Sequence, residues 1–289
     1  MPFTDFPSQP EYPRVITLIN LIAATHAEAD SVISALRLKK IPALLTCYQN
    51  KNINLVITGI GKRNTATACG WLAEKNLQAY GEAVEDKSSA WLNFGIAGHH
   101  SAELGTLLVA HKVTDFATKK VWYPHRLFQS ISSSDLVTVD KPADNYLYDQ
   151  LHDMEASAFV ESARHFSHAE LVQSIKVVSD NEEHHHTNLN PKRATQLIAE
   201  NTEHIVECVE NLQALLQSLT PPEDQISTAI LENWHFSVSQ KVQLKRLVQR
   251  YSVTYSPMTS IPTDLQNQKS SKDVLSWLQL TVDSADEYL

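Results

Sequence analysis

Glycine is scarce in this chain. Of 289 residues only 7 are glycine, where an average composition of about 7% would supply about 20. All of them stand between Gly59 and Gly105, so that stretch is where tight turns or close approach to a ligand are expected. Cysteine is sparse too. Cys47, Cys69 and Cys208 show no spacing that suits a zinc centre or a redox pair, which excludes a disulfide scaffold and fits a reducing cytoplasm. Long apolar runs are missing. The longest candidate, Val15 to Ala24, falls well short of the ~20 residues that cross a bilayer. It follows Asp5, Glu11 and a single basic residue, Arg14, and so reads as a buried first strand, not a signal segment. Basic residues are in deficit, 24 Lys and Arg against 33 Asp and Glu, for a net charge of −9. That excludes a nonspecific grip on nucleic-acid phosphates, although a local site for a small anion stays open. What is present is an ordinary globular balance, 43% hydrophobic and 20% charged, enough to bury a sizeable core.

Residues 1–14 carry Pro2, Pro7, Pro10 and Pro13 and read as an extended arm. Beyond it strands alternate with helices. Strands are expected at 15–23, 89–94, 106–113, 136–139 and 174–179, with a hairpin over 43–48 and 53–58. Helices are expected at 25–38, 62–75 and 154–166, and a long one runs from Asn190-Pro191, an N-cap followed by a first-position proline, to about Leu219. Gly95-Ile96-Ala97-Gly98 reads as a glycine turn after its strand. The alternation implies a layered α/β domain over 15–219. After Pro222 no strand pattern remains. Residues 220–289 read as a small helical appendage, with helices at 226–251 and 271–289. Lys241, Lys245, Arg246 and Arg250 on the first of these form a solvated face or a protein-partner surface.

Three acids fall where open α/β sheets place ligands, past strand C-termini or at helix starts. Glu28 stands three residues after Thr25, which makes either a capping box or a carboxylate that orients water. Glu155 opens a helix, where it either complements the dipole or accepts hydrogen bonds from a sugar diol. Asp180 ends a strand, as a turn acid or as a general acid.

The segments Leu55-Val-Ile-Thr-Gly-Ile-Gly-Lys62, Leu92-Asn-Phe-Gly-Ile-Ala-Gly98, Asp153-Met-Glu-Ala-Ser-Ala158 and Val177-Val-Ser-Asp180 occur in that order. Together they resemble the purine nucleoside phosphorylase and nucleosidase superfamily over about Val15 to Leu219. The pattern is most similar to the methylthioadenosine/S-adenosylhomocysteine nucleosidase branch, whose Ala-x-x-x-Glu helix start is matched by Ala24-Thr-His-Ala-Glu28. The resemblance implies a three-layer fold with a central mixed sheet flanked by helices. It implies that Glu28 positions the attacking water, Met154 and Glu155 hold the ribose, Ser179 and Asp180 end in the acid that protonates the purine, and Phe94, Gly95, Ile96, Ala97 and Gly98 line the cleft. It also implies a cytoplasmic homo-oligomer that uses no metal or organic cofactor.

Hydrolysis and phosphorolysis differ in anion binding. The Gly-Asp-Pro-x-Arg type of loop common in the phosphorylases is replaced by Ile22-Ala-Ala-Thr-His26, leaving Lys62 and Arg63 as cationic candidates for phosphate. Water is the favoured nucleophile, with a phosphorylase as the alternative. A third reading is a non-catalytic nucleoside-binding scaffold acting through its C-terminal helices. It is motivated by Ile96 in place of the family serine, by His99, with His100 after it, where a glycine is usual, and by a short 115–153 stretch. There Val139-Asp140-Lys141-Pro142 takes the place of a base-recognition loop. Glu182-Glu183-His184-His185-His186 reads as a polar loop near the cleft, since consecutive histidines rarely converge on one metal. Trp71, Trp91, Trp122 and Tyr123 read as core or pocket wall.

Overall fold

A computed structural model describes residues 17–80, 89–142, 146, 148–219, 225–255, 258 and 261–286; the expected arm at 1–14 lies outside them. The chain divides into two compact units, Val15–Thr220 and one that carries Pro221–Leu289.

In the larger unit the first strand is β1 (Leu18–Ala23), buried throughout, as a continuous apolar run requires of a strand covered on both faces. β2 (Lys39–Ile41), β3 (Thr46–Asn50) and β4 (Ile53–Ile57) follow. β3 and β4 form the expected hairpin, turned by Lys51 at φ 48°. β5 (Ser89–His99) lies parallel to β1, with Leu21 opposite both Leu55 and Leu92. On its other edge β5 pairs in parallel with β10 (Val172–Asp180). From β10 the pairing passes to β6 (Leu107–Asp115), β8 (Ser133–Thr138) and β9 (Leu151–Asp153), and β9 returns to the end of β5 through Gly98 and His152. The two-residue β7 (Val121–Trp122) edges β6. One half of this mixed sheet is open and the other closes on itself, with β5 common to both.

Side chains alternate across the sheet and feed two cores. Ile19, Leu21, Leu92 and Ile175 pack with α1 (His26–Ala35), α4 (Pro191–Glu200) and α5 (Thr202–Leu219). Ile22, Val56, Trp91 and Val178 pack with α2 (Lys62–Tyr80) and α3 (Ala156–Ala163). Helices thus cover both faces of the sheet.

Several expectations are corrected. Residues 95–98 are not a turn, because β5 continues through them to His99; its glycines serve close approach by side chains, described below. The single helix expected after Pro191 is two, broken at Asn201, whose side-chain amide donates to the carbonyls of Leu197 and Gly105. Tyr123 is 72% exposed and belongs to no wall, whereas Trp91 is core.

The smaller unit contains α6 (Gln225–Asn233), α7 (Val238–Thr254), the short α8 (Thr263–Gln266) and α9 (Ser271–Asp286). Its own core includes Ile230, Phe236, Leu244, Val248, Leu265 and Leu278. The helix expected over 226–251 is interrupted before Ser237, which restarts it as an N-cap paired with Gln240. Lys241, Arg246 and Arg250 are exposed on α7, and Arg250 meets Asp283 at 3.4 Å.

Candidate active site

β5 changes neighbour along one edge. β1 pairs with it as far as Asn93, and β9 joins only at Gly98. No strand covers residues 94–97 on that edge among the described residues. The gap exposes a backbone donor, and Glu28 from the first turn of α1 takes it. The Ile96 N–H donates to Glu28 Oε1 at 3.0 Å. Gly95 makes room, since a Cβ there would lie 2.5 Å from the same oxygen. The other oxygen, Oε2, accepts from the Thr25 N–H at 2.8 Å and the Thr25 hydroxyl at 2.9 Å. The capping contact anticipated from Thr-x-x-Glu is therefore real, and it fixes the carboxylate at the cavity.

Glu155 is the N-cap residue of α3 but does not cap it. The cap is Asp153, whose Oδ2 accepts from the Ala156 N–H at 2.8 Å. Glu155 Oε1 instead accepts from the Gly61 N–H at 2.8 Å, across the loop that precedes α2. Glu155 is 6% exposed. Burial pushes its carboxyl up to about 7; the Lys176 charge opposes the rise and Asp153 adds to it. Lys176, 1% exposed within β10, is the counterion beneath the site. Its Nζ meets Asp153 Oδ2 at 2.9 Å. Burial alone would lower its pKa, but the charges of Asp153 and Glu155 outweigh that and hold it above the ordinary lysine value. Neutralising a buried lysine with paired acids is the usual condition for keeping one inside a protein.

Asp180 lies at the end of β10. Its Oδ1 accepts from the Ser179 hydroxyl and its Oδ2 from the Tyr146 phenol. Beside them, His152 donates from Nδ1 to the Gln150 carbonyl at 3.1 Å, and burial lowers its pKa.

One cavity of about 250 Å³ gathers these groups: Glu28, Met154, Glu155, Ser179 and Asp180 line it, as do Ile96, Ala97 and Gly98 of β5. Phe94 and Gly95 do not. Phe94 points into the core at 1% exposure, and Gly95 faces Glu28 from behind. Val139 and Pro142 of the expected base loop line the cavity, and His186 is the one member of the acid–histidine run to do so. Among the described residues no group of His, Cys, Asp and Glu could hold a metal ion. Lys62 is committed elsewhere. Its Nζ bridges Asp115 at 2.9 Å and Asp140 at 2.8 Å. Burial would raise the Asp115 carboxyl, but the Thr118 N–H, Lys62 and Ser157 hold it below the usual range.

Asp153, Lys176, Tyr146 and His152 escape a reading of the sequence. Lys176 did carry a signal: a lysine inside the buried run SIKVVS must find an acid.

An open α/β sheet with a cavity at strand ends, lined by acids from three remote segments, is a small-molecule site of the kind such sheets build. The fold is that of solved methylthioadenosine and S-adenosylhomocysteine nucleosidases. The chain is similar to the 5′-methylthioadenosine nucleosidase of Arabidopsis thaliana, at 16% identity over 68% of this chain and 96% of that one, TM-score 0.54. It is similar also to the 5′-methylthioadenosine/S-adenosyl homocysteine nucleosidases of Helicobacter pylori (13% identity, 68% and 98% covered, TM-score 0.53) and Campylobacter jejuni (13%, 67% and 99%, 0.52). No family model and no curated protein matches it.

Proposed function

We propose that this protein hydrolyses the N-glycosidic bond of a purine nucleoside or thio-nucleoside and releases the free base. The observation that carries this reading is the convergence of Glu28, Glu155 and Asp180, from α1, the start of α3 and the end of β10, on one cavity. Cleavage of a ribosyl bond passes through an oxocarbenium-like state. Glu28 accepts a proton from the attacking water. Glu155, as a carboxylate, accepts hydrogen bonds from the ribose hydroxyls, with Met154 packed beside it, and so orients the sugar. Asp180 supplies the proton that lets the base leave neutral, a contribution on the order of 10²–10⁴-fold. No step calls on a metal or organic cofactor. The catalytic domain is assigned to 15–219 and the appendage to 220–289, and the chain is taken to act in the cytoplasm as a homo-oligomer.

Water is favoured over phosphate by the charge of the site. Glu28, Asp153, Glu155 and Asp180 all line the cavity, Lys176 is spent on Asp153, and Lys62 is spent on Asp115 and Asp140. Among the described residues that line the cavity there is no Lys or Arg, so a phosphate dianion would meet carboxylates with no such cation in the lining to offset them.

The test is base release by the purified chain from methylthioadenosine, S-adenosylhomocysteine, adenosine, inosine and uridine, each with and without phosphate. Free base from a purine nucleoside without phosphate is expected. Release only with phosphate would make the protein a phosphorylase, and release from none would leave a binding protein.

A further inference from the structure

Each oxygen of Asp180 already has a partner. Ser179 holds Oδ1 and Tyr146 holds Oδ2. The second contact is built into the fold. Gly98 lies directly beneath it, where a Cβ would stand 2.5 Å from the Tyr146 oxygen and 2.6 Å from Asp180 Oδ2. The Tyr146 carbonyl accepts from His100 Nδ1 at 2.7 Å, and its ring meets the edge of His152 with centroids 5.1 Å apart. Tyr146 is 4% exposed and lines the cavity. His100 thus anchors the residue that covers the acid.

We propose that Tyr146 is a catalytic residue that relays the proton of Asp180 to the leaving base. This rests on the nucleosidase reading above. A protonated carboxyl donates its one O–H and accepts at its remaining lone pairs. With Ser179 donating to Oδ1, a proton on Oδ2 faces the Tyr146 oxygen. In the step, the Oδ2–H bond breaks and that proton joins the phenol oxygen. The phenol's own O–H bond breaks and its proton joins a ring nitrogen of the base, while the electron pair of the glycosidic bond passes to the base. Asp180 ends as a carboxylate, Tyr146 as the neutral phenol it was, and the sugar cation is captured by water.

The experiment compares wild type, Tyr146→Phe and Asp180→Asn on two substrates: the purine nucleoside turned over by wild type, and p-nitrophenyl riboside, whose leaving group needs no proton. Tyr146→Phe is expected to lower kcat on the nucleoside by on the order of 10²–10⁴-fold, as Asp180→Asn does, with KM little changed. Both variants should keep near wild-type kcat on p-nitrophenyl riboside. Wild-type or faster nucleoside turnover by Tyr146→Phe would overturn the relay and make the phenol a plug that the base displaces. Equal loss on both substrates would also overturn it, since damage to folding or sugar binding does not depend on the leaving group. If Asp180→Asn is slow and Tyr146→Phe is not, the relay fails alone; if wild type cleaves no nucleoside, the nucleosidase reading fails with it.

Discussion

Glu155 is a carboxyl held between opposing demands. Burial and the neighbouring acid Asp153 raise it to about 7 from an ordinary 4.5, against the pull of Lys176. In that window the folded chain binds a proton that the unfolded chain does not. The contribution of Glu155 to stability is thus fully present below the unfolded value and is lost as pH rises through the folded one. The proposed function asks for the opposite state, since there a sugar diol donates to the carboxylate. The free enzyme governs kcat/KM. The ionisation of Glu155 should make kcat/KM fall about tenfold per unit below about pH 7. Glu155→Gln should lower kcat/KM above that pH and erase the inflection. A profile for the wild type that is flat across neutrality would show that Glu155 does not titrate there or does not touch the sugar.

β5 is the element on which the site depends. It exchanges β1 for β9 as a neighbour, and the unpaired stretch between them receives Glu28. Gly95→Ala would add a methyl 2.5 Å from the Glu28 carboxylate and 3.8 Å from Lys176 Nζ. The strand can carry an alanine, but the carboxylate must give way. The expected result is overpacking of about 1–3 kcal/mol, read as a lower Tm, together with, on the proposed function, a loss of at least about tenfold in kcat because Glu28 is displaced. An unchanged kcat would detach Glu28 from the chemistry. The same strand shows what a sequence can and cannot reveal. Its hydrophobic content announces β5, and the spacing of Glu28, Glu155 and Asp180 after their elements announces the acids. The partner switch is invisible, because it is set by which strand reaches Gly98. A glycine-rich end therefore reads as a turn when it is a strand cleared for the side chains of Glu28, Tyr146 and Asp180. Tyr146 and His152 lie in or beside a loop with no periodicity, so nothing local marks them.

The two units share no core among the described residues. One buries Ile19 to Leu216 against the mixed sheet, and the other buries Ile226 to Leu278 among helices. The described residues that line the cavity all belong to the first. Each unit has what independent cooperative folding requires, a hydrophobic core of its own. A chain ended after Leu219 should keep kcat/KM for base release within about threefold of the full protein, below the change that loss of one good contact produces. Calorimetry should record two unfolding transitions for the full chain and one for the shortened chain, with the surviving transition close to its position in the full protein. A single transition in the full chain, or an inactive but folded shortened chain, would show instead that the C-terminal helices stabilise or complete the larger unit, and would move them from appendage to part of the enzyme.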